Sequence, residues 1–381
     1  MRILFTGGGS GGHFYPIISI VEEFNKLIKE KKLLEAELFF MAPGPYDKGM
    51  LFEKNITYRQ NTAGKLRRNP GLLGLVRNFF DLFRMGWGVL TAIYQVYKIY
   101  PDVVFGKGAY GSFPALFAAR LLRIPVVIHE SDTVPGRVNR WAGKFAKRVA
   151  LSYKEASQYF PQDKVAYTGQ PVRQDIAHPI ATGAREFLKL EEETPVIMVL
   201  CGSQGSEIIN GAILEGLNRL VEKYQVIHQT GMKNLAEATA TADAVLFNSS
   251  HKDRYKAFGY LLPLALRMSA GVASVVVSRA GSTIFEIASW GVPSLIVPIT
   301  LSNGDHQRRN AFAYARAGAC EVIEEANLSP NILLSEVDRI VSSPEEGQRM
   351  RTAARAFYKA DASRLVAEEI LKIALDHEIE K

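Results

Sequence analysis

The sequence predicts an α/β fold made of doubly wound parallel sheets in two domains, and three observations carry that prediction. Short apolar runs alternate with helical-period segments along most of the chain. A loop of small residues between a strand and a helix occurs twice, at Gly7–Gly12 and at Cys201–Ser206. A length of 381 residues exceeds what one common core serves.

Taken in order, Ile3, Leu4 and Phe5 form a run long enough for one buried strand. Six residues without bulk follow, with Ser10 alone breaking the glycines. After His13, PIISIVEEFNKLI reads as a helix with Pro16 near its start. ELFFMA is the second strand. From Asn69 to Tyr100, Leu72, Leu75, Phe79, Phe83 and Trp87 crowd a helix punctuated by Arg84, with Lys65, Arg67 and Arg68 upstream. Its glycines, among them Gly86 and Gly88, suggest two segments. A basic, aromatic-rich helix reads as a membrane-surface element, and a core-packed helix is an equal alternative. PDVVF, IPVVIHE and KRVALS are further strands, and GSFPALFAARLL is a helix between the first two.

YTGQPVRQDI reads as a strand end and an interdomain linker stiffened by Pro171. The pattern then restarts with the strand TPVIMVL, the second small-residue loop and the helix IINGAILEGLNRLV. KYQVIHQTG, ADAVLFN and ASVVVSRAG are read as strands. Ala280–Thr283 opens a helix with Glu286 in its first turn; VPSLIVPI is a strand, and a polar loop carries Ser302 to Gln307. Helical periodicity dominates from Asn331.

The net charge of +7 favours anionic partners such as sugar nucleotides or an acidic membrane surface. Nucleic acid is not expected, since the basic residues are dispersed and no recognised motif is present. Two cysteines, Cys201 and Cys320, make neither a disulfide framework nor a metal spacing and fit a reducing cytosol. The chain opens on a strand, so no signal peptide is expected. No apolar run reaches the roughly 18 to 20 residues of a membrane span.

Strand, bare loop and helix N-terminus form a geometry that favours an anion. Gly7, Gly9 and Gly12 satisfy the dinucleotide fingerprint. That reading wants an acid at the end of the second strand, where Ala42, Pro43 and Gly44 stand. A phosphate loop of the Walker type would need Lys-Ser or Lys-Thr after Gly12, and His13-Phe14 stands there. A sugar-diphosphate site with a chemically active imidazole is the third reading, and a merely tight turn the fourth.

GGGSGGHFYP, GKGAYGS, IPVVIHE with GRVNRWAGKFAKRV, YTGQPVR, CGSQGSEIING, SRAGSTIFEIASWGVPSLIVP and DHQRRNA, in this order and spacing, resemble the bacterial MurG family within glycosyltransferase family 28. The resemblance implies the GT-B fold, two Rossmann-like domains facing a central cleft. Residues 1–169 would form an acceptor and membrane-associated domain, 170–357 a donor domain, and a helix over about 358–381 would return to the first. The implied activity is inverting transfer of N-acetylglucosamine (GlcNAc) from UDP-GlcNAc to the 4-hydroxyl of N-acetylmuramate in lipid I, giving lipid II for peptidoglycan. The implied location is the cytoplasmic membrane face, bound peripherally to anionic phospholipid.

By the same resemblance, His13 is the candidate base and Asp132 its rival. Gly8, Gly9, Ser10, Gly11, Gly108 and Tyr110 would seat the acceptor diphosphate. Ser10, Gly11, Gly12 and Asp132 would also border the donor. Glu286 would hold the ribose hydroxyls, His306 and Gln307 the donor sugar, and Leu261 the uracil. Helix N-termini at Ser203-Gln204 and Gly281-Ser282-Thr283, with Arg173, would offset the leaving diphosphate, all supplied by the second domain. No cofactor is required by the sequence; a divalent cation could assist, although no Asp-x-Asp motif is present.

The chain departs from the family at Cys201, which replaces a glycine, and at Asp132, which replaces an asparagine and would repel a diphosphate unless paired. Its register after Asp305 is ambiguous. A related transferase acting on another membrane lipid, such as a diacylglycerol, is the nearest alternative. An NAD-dependent oxidoreductase and a non-catalytic recruiting partner are further ones.

Overall fold

The computed structural model describes residues 1–64, 72–202, 204–300 and 302–379, without the side chains of 72–77, 303, 378 and 379. The chain divides into two compact units, Met1–Arg173 with Ala360–Lys381, and Gln174–Lys359.

The first unit holds seven parallel strands: β1 (Arg2–Thr6), β2 (Glu37–Ala42), β3 (Ile56–Gln60), β4 (Val103–Gly106), β5 (Val126–Glu130), β6 (Arg148–Leu151) and β7 (Val165–Tyr167). Their spatial order is 3-2-1-4-5-6-7. Ile3 and Phe5 face one core with the first helix, while Leu4 faces another with Ala92, Val96 and Leu116. Strands buried on both faces read as continuous apolar runs, which is why β1 and β5 stand out in the sequence.

The first helix runs Gly11–Glu30 and so begins before Pro16, its expected start. Gly11 and Gly12 are poor helix formers, but Ser10 is the extended cap and its carbonyl accepts from the amides of His13 and Phe14 at 3.0 and 3.1 Å. Leu72–Ile99 is one helix, not two. Gly88 belongs inside it because a Cβ there would lie 1.8 Å from the Thr62 carbonyl oxygen. Ala92, Val96 and Ile99 pack into the core, whereas Phe79, Phe83, Trp87, Leu90, Tyr94 and Tyr97 are 59% to 66% exposed. The spacing of three and four residues makes these six a stripe, on the side of the helix away from its core contacts. Arg84 is exposed and 3.6 Å from Asp81. Lys65, Arg67 and Arg68 lie outside the described residues, as do the side chains of Leu72 and Leu75.

The second unit holds six parallel strands in the order 10-9-8-11-12-13. They are β8 (Val196–Leu200), β9 (Gln225–Gln229), β10 (Tyr255–Phe258), β11 (Ala273–Ser278), β12 (Ser294–Ile296) and β13 (Cys320–Val322). ADAVLFN, expected as a strand, closes the helix Leu235–Val245 instead. The preceding alanines favour helix, and Ala238, Ala242 and Leu246 bury one face at a spacing of four. The unit boundary falls at Arg173 rather than 169. The Val172 carbonyl accepts from Ser19 Oγ at 2.8 Å, and the Arg173 guanidinium lies 4.0 Å over the Tyr15 ring. Arg173, expected in the donor domain, therefore packs in the first unit. So does the terminal helix, Ala362–Ile379, which buries Val366, Ile370, Leu371 and Ile373 against the first helix. Among the described residues no helix is long and apolar enough to cross a membrane.

Candidate active site

Strand order reverses between β1 and β4 in the first unit and between β8 and β11 in the second. Doubly wound sheets bind ligands at the carboxyl ends of the strands beside such a reversal. In the first unit, the ends of β1, β4 and β5 carry the glycine loop, Gly108 with Tyr110, and Asp132, so the residues expected there share one rim.

The glycine loop is pressed against its surroundings. A Cβ on Gly8 would lie 2.7 Å from Ala109 Cβ, and one on Gly11 would lie 2.7 Å from the Tyr46 hydroxyl. Gly11 and Gly12 open a helix, where their amides have no helical carbonyl to bond. His13 sits in that first turn, its Nδ1 2.7 Å from Ser10 Oγ. Tyr15 and Tyr46 meet edge to face at 5.5 Å beside Gly11. Neither tyrosine is singled out by sequence reasoning, because no local pattern announces a loop contact between them.

Behind the rim lies a buried polar cluster. Lys107 Nζ is 2.6 Å from His129 Nδ1 and 3.3 Å from Gln170 Oε1, and it also donates to Ser131 Oγ. His129 Nε2 is 3.0 Å from the Gly169 carbonyl oxygen. Glu130 accepts from the Asp132 amide at 3.0 Å and from Asn139 Nδ2 at 2.9 Å. Burial pushes the Lys107 ammonium down to about 7, against the pull of Glu130 and Asp132. Burial, with Asp132 adding repulsion, pushes the Glu130 carboxyl up to about 7. Burial and the neighbouring Lys107 hold the His129 imidazole neutral. The available signal for this cluster is a lysine between glycines at one strand end and His-Glu closing a fully apolar strand.

In the second unit, Ser203 lies outside the described residues and Gln204 is exposed. Ser206 caps the helix Glu207–Glu215, accepting from the Ile209 amide at 3.3 Å and from Arg279 Nη2 at 2.6 Å. Arg279, which sequence reasoning passes over, also donates to Val297 O at 3.1 Å and to Glu325 Oε1 at 2.6 Å. Glu325 Oε2 in turn accepts from the Thr300 amide at 3.0 Å. One arginine thus braces the loops after β8, β11 and β12. Ser282 precedes the helix Thr283–Trp290 without a side-chain cap bond, and Glu286 stands in its first turn. Gln307 Oε1 accepts from the Ile299 amide at 3.1 Å, next to His306 at the start of the helix His306–Arg316. Leu261 is 2% exposed and packs in the core, and its backbone amide donates to Gln229 Oε1 at 2.9 Å.

Beneath these loops, Asn210 Oδ1 accepts from Cys201 Sγ at 3.3 Å and from His228 Nε2 at 3.0 Å. That leaves His228 Nδ1 to accept from the Tyr255 hydroxyl at 3.0 Å. Burial pushes the Cys201 thiol up to about 12 and the His228 imidazole down to about 3. The thiol is therefore unreactive near neutral pH. Among the described residues no group of three or more His, Cys, Asp or Glu side chains could hold a metal ion.

Comparison with known proteins gives matches over both units. Residues 3–151 match the glycosyltransferase family 28 N-terminal domain, and residues 196–366 match the family 28 C-terminal domain. A Bacillus thuringiensis subsp. konkukian protein is 32% identical over 376 residues, covering 97% of this chain and 99% of its own. It is named UDP-N-acetylglucosamine--N-acetylmuramyl-(pentapeptide) pyrophosphoryl-undecaprenol N-acetylglucosamine transferase 2. A Thermodesulfovibrio yellowstonii protein of the same name without the final numeral is 33% identical over 384 residues, covering 98% of each chain. Among solved structures, Acinetobacter baumannii MurG superposes with a TM-score of 0.71 at 22% identity, covering 97% of this chain and 99% of its own. The S. aureus MnaA–UDP co-structure gives 0.68 at 15% identity, covering 99% and 98%. At these identities the structural matches speak for the fold.

Proposed function

The chain belongs to glycosyltransferase family 28, and from that membership we infer that it transfers GlcNAc from UDP-GlcNAc to the muramyl 4-hydroxyl of lipid I, inverting the anomeric carbon. The observation that carries the reading is that each unit sets a small-residue loop and a helix N-terminus at the reversal point of its sheet, within a chain whose full-length relatives bear that activity in their names.

The first rim suits the acceptor. Amides at Gly11 and Gly12 and the helix dipole favour its diphosphate, near His13. For His13 to act as base through Nε2, its proton must sit on Nδ1 and donate to Ser10 Oγ, a geometry the 2.7 Å separation allows. The acceptor oxygen then bonds the anomeric carbon as the bond to UDP breaks, its proton passing to Nε2 and the electron pair leaving with the diphosphate. The second rim suits UDP. The helix N-termini after Ser206 and Ser282 offset the leaving charge, and Glu286 accepts from the ribose hydroxyls. Peripheral attachment at the cytoplasmic membrane face would use the exposed stripe from Phe79 to Tyr97.

Incubation with UDP-GlcNAc carrying a radiolabelled sugar and a short-chain lipid I analogue tests the reading. Labelled disaccharide lipid together with released UDP is expected. Transfer to diacylglycerol and not to the lipid I analogue would instead establish the alternative acceptor.

A further inference from the structure

Lysine is among the side chains least often buried, yet Lys107 is 2% exposed. Its backbone amide donates to the Thr6 carbonyl at 2.8 Å, and its Cβ lies 3.5 Å from where a Cβ on Gly7 would be. The residue therefore adjoins the first glycine loop. The Gly169 carbonyl can only accept, so the His129 ring proton lies on Nε2 and Nδ1 accepts from Lys107. Gln170 Oε1 accepts as well, and so does the Ser131 hydroxyl. An ammonium's three hydrogens thus meet three acceptors, one of them on the residue before Asp132. Burial favours the neutral forms of Lys107 and Glu130; the charges of Glu130 and Asp132 favour the ammonium against it, as Lys107 favours the Glu130 carboxylate. Without the lysine, those acceptors lose a buried donor, and an anion on the rim meets the Asp132 charge without that offset.

We infer that Lys107 is a positioning residue whose buried ammonium orients the Ser131–Asp132 segment and offsets the Asp132 carboxylate, so that a diphosphate can sit beside it. The inference rests on reading this rim as the acceptor diphosphate seat. A lysine that merely fills the core would affect stability without distinguishing one substrate from another.

Full-length protein saturated with UDP, to occupy the donor site, is titrated with inorganic pyrophosphate by calorimetry, and KM is measured for both substrates. Lys107→Met is expected to raise the pyrophosphate Kd and the acceptor KM roughly 10- to 100-fold, with the donor KM changing far less. Asp132→Asn in that background should recover about tenfold by removing the unopposed charge. An unchanged pyrophosphate Kd in Lys107→Met, or no recovery in the double variant, overturns the inference. If Lys107→Met does not fold, Ser131→Ala keeps the charge but frees the segment. It is then expected to weaken pyrophosphate binding several-fold, and an unchanged Kd is the overturning result. A wild-type protein that binds pyrophosphate but transfers no sugar would end the transferase reading and leave this inference standing. Wild-type transfer with an unaltered acceptor KM in Lys107→Met would do the reverse.

Discussion

A histidine that is to take a proton must present its unprotonated ring nitrogen to the substrate, and at His13 the bond to Ser10 decides which nitrogen that is. With Nδ1–H donating to Ser10 Oγ, Nε2 carries no proton; with the serine donating instead, it does. His13→Ala should lower kcat by roughly 10²–10⁴ with little change in UDP-GlcNAc affinity, measured by steady-state kinetics and equilibrium binding. Asp132→Asn should keep activity within about tenfold, short of the loss of a general base. The opposite pattern would move the base to Asp132. A second residue-scale prediction concerns acid. The folded pKa of His228, pushed down to about 3 by burial, lies below the ~6.5 of a free imidazole. The unfolded chain therefore binds more protons between those values, so stability falls as pH drops through that window, by at most ~1.4 kcal/mol per pH unit for this group. His129 is shifted in the same direction. His228→Gln should lower Tm at pH 7 yet shrink the further loss between pH 6.5 and 4.5, read by calorimetry. An undiminished acid loss would exclude His228 as a source.

At the scale of elements, the helix Leu72–Ile99 carries the most testable surface. Phe79, Phe83 and Trp87 are each more than half exposed along one stripe, and full burial of such a side chain is worth ~1.5–3 kcal/mol. Changing all three to Ser should reduce binding to anionic vesicles at least tenfold in sedimentation, while Tm changes little. Binding of the unaltered protein should weaken with salt. Equal binding to neutral and anionic vesicles would exclude the charged component. The exposed stripe and the core face of this helix could both be expected from its composition, but which residues lie on which side emerges only with its packing partners. The same division applies to strands. Central strands such as β1, β8 and β11 are buried on both faces and read as apolar runs. Edge strands β3, β10 and β13 escape that reading because ITYRQ, YKAF and CEV mix polar with apolar residues. The glycine loops and His13 are visible by spacing. The contacts of Lys107, Tyr46 and Arg279 are not, because each partners residues distant in sequence.

At the scale of the molecule, the first unit is interrupted by the second and completed by the chain's last helix. Residues 174–359 expressed alone should therefore unfold cooperatively, as a separate transition in the full chain's calorimetry. Truncation after residue 359 should destabilise the first unit and leave that transition in place. The truncation removes Val366, Ile370, Leu371 and Ile373 from the core. At ~1.5–3 kcal/mol each, their burial is comparable with the whole ~5–15 kcal/mol net stability of a typical domain. If the two transitions shift together, the units do not unfold independently. Domain boundaries of this kind are hard to place from sequence, since GQPVR looks like a linker while Val172 and Arg173 are held by Ser19 and Tyr15. The returning helix also sets an order of events during synthesis. On the ribosome, the middle of the chain is translated in full before the beginning has received its final layer. The glycine loop is therefore among the first segments made, yet the unit that supports it is among the last to be finished.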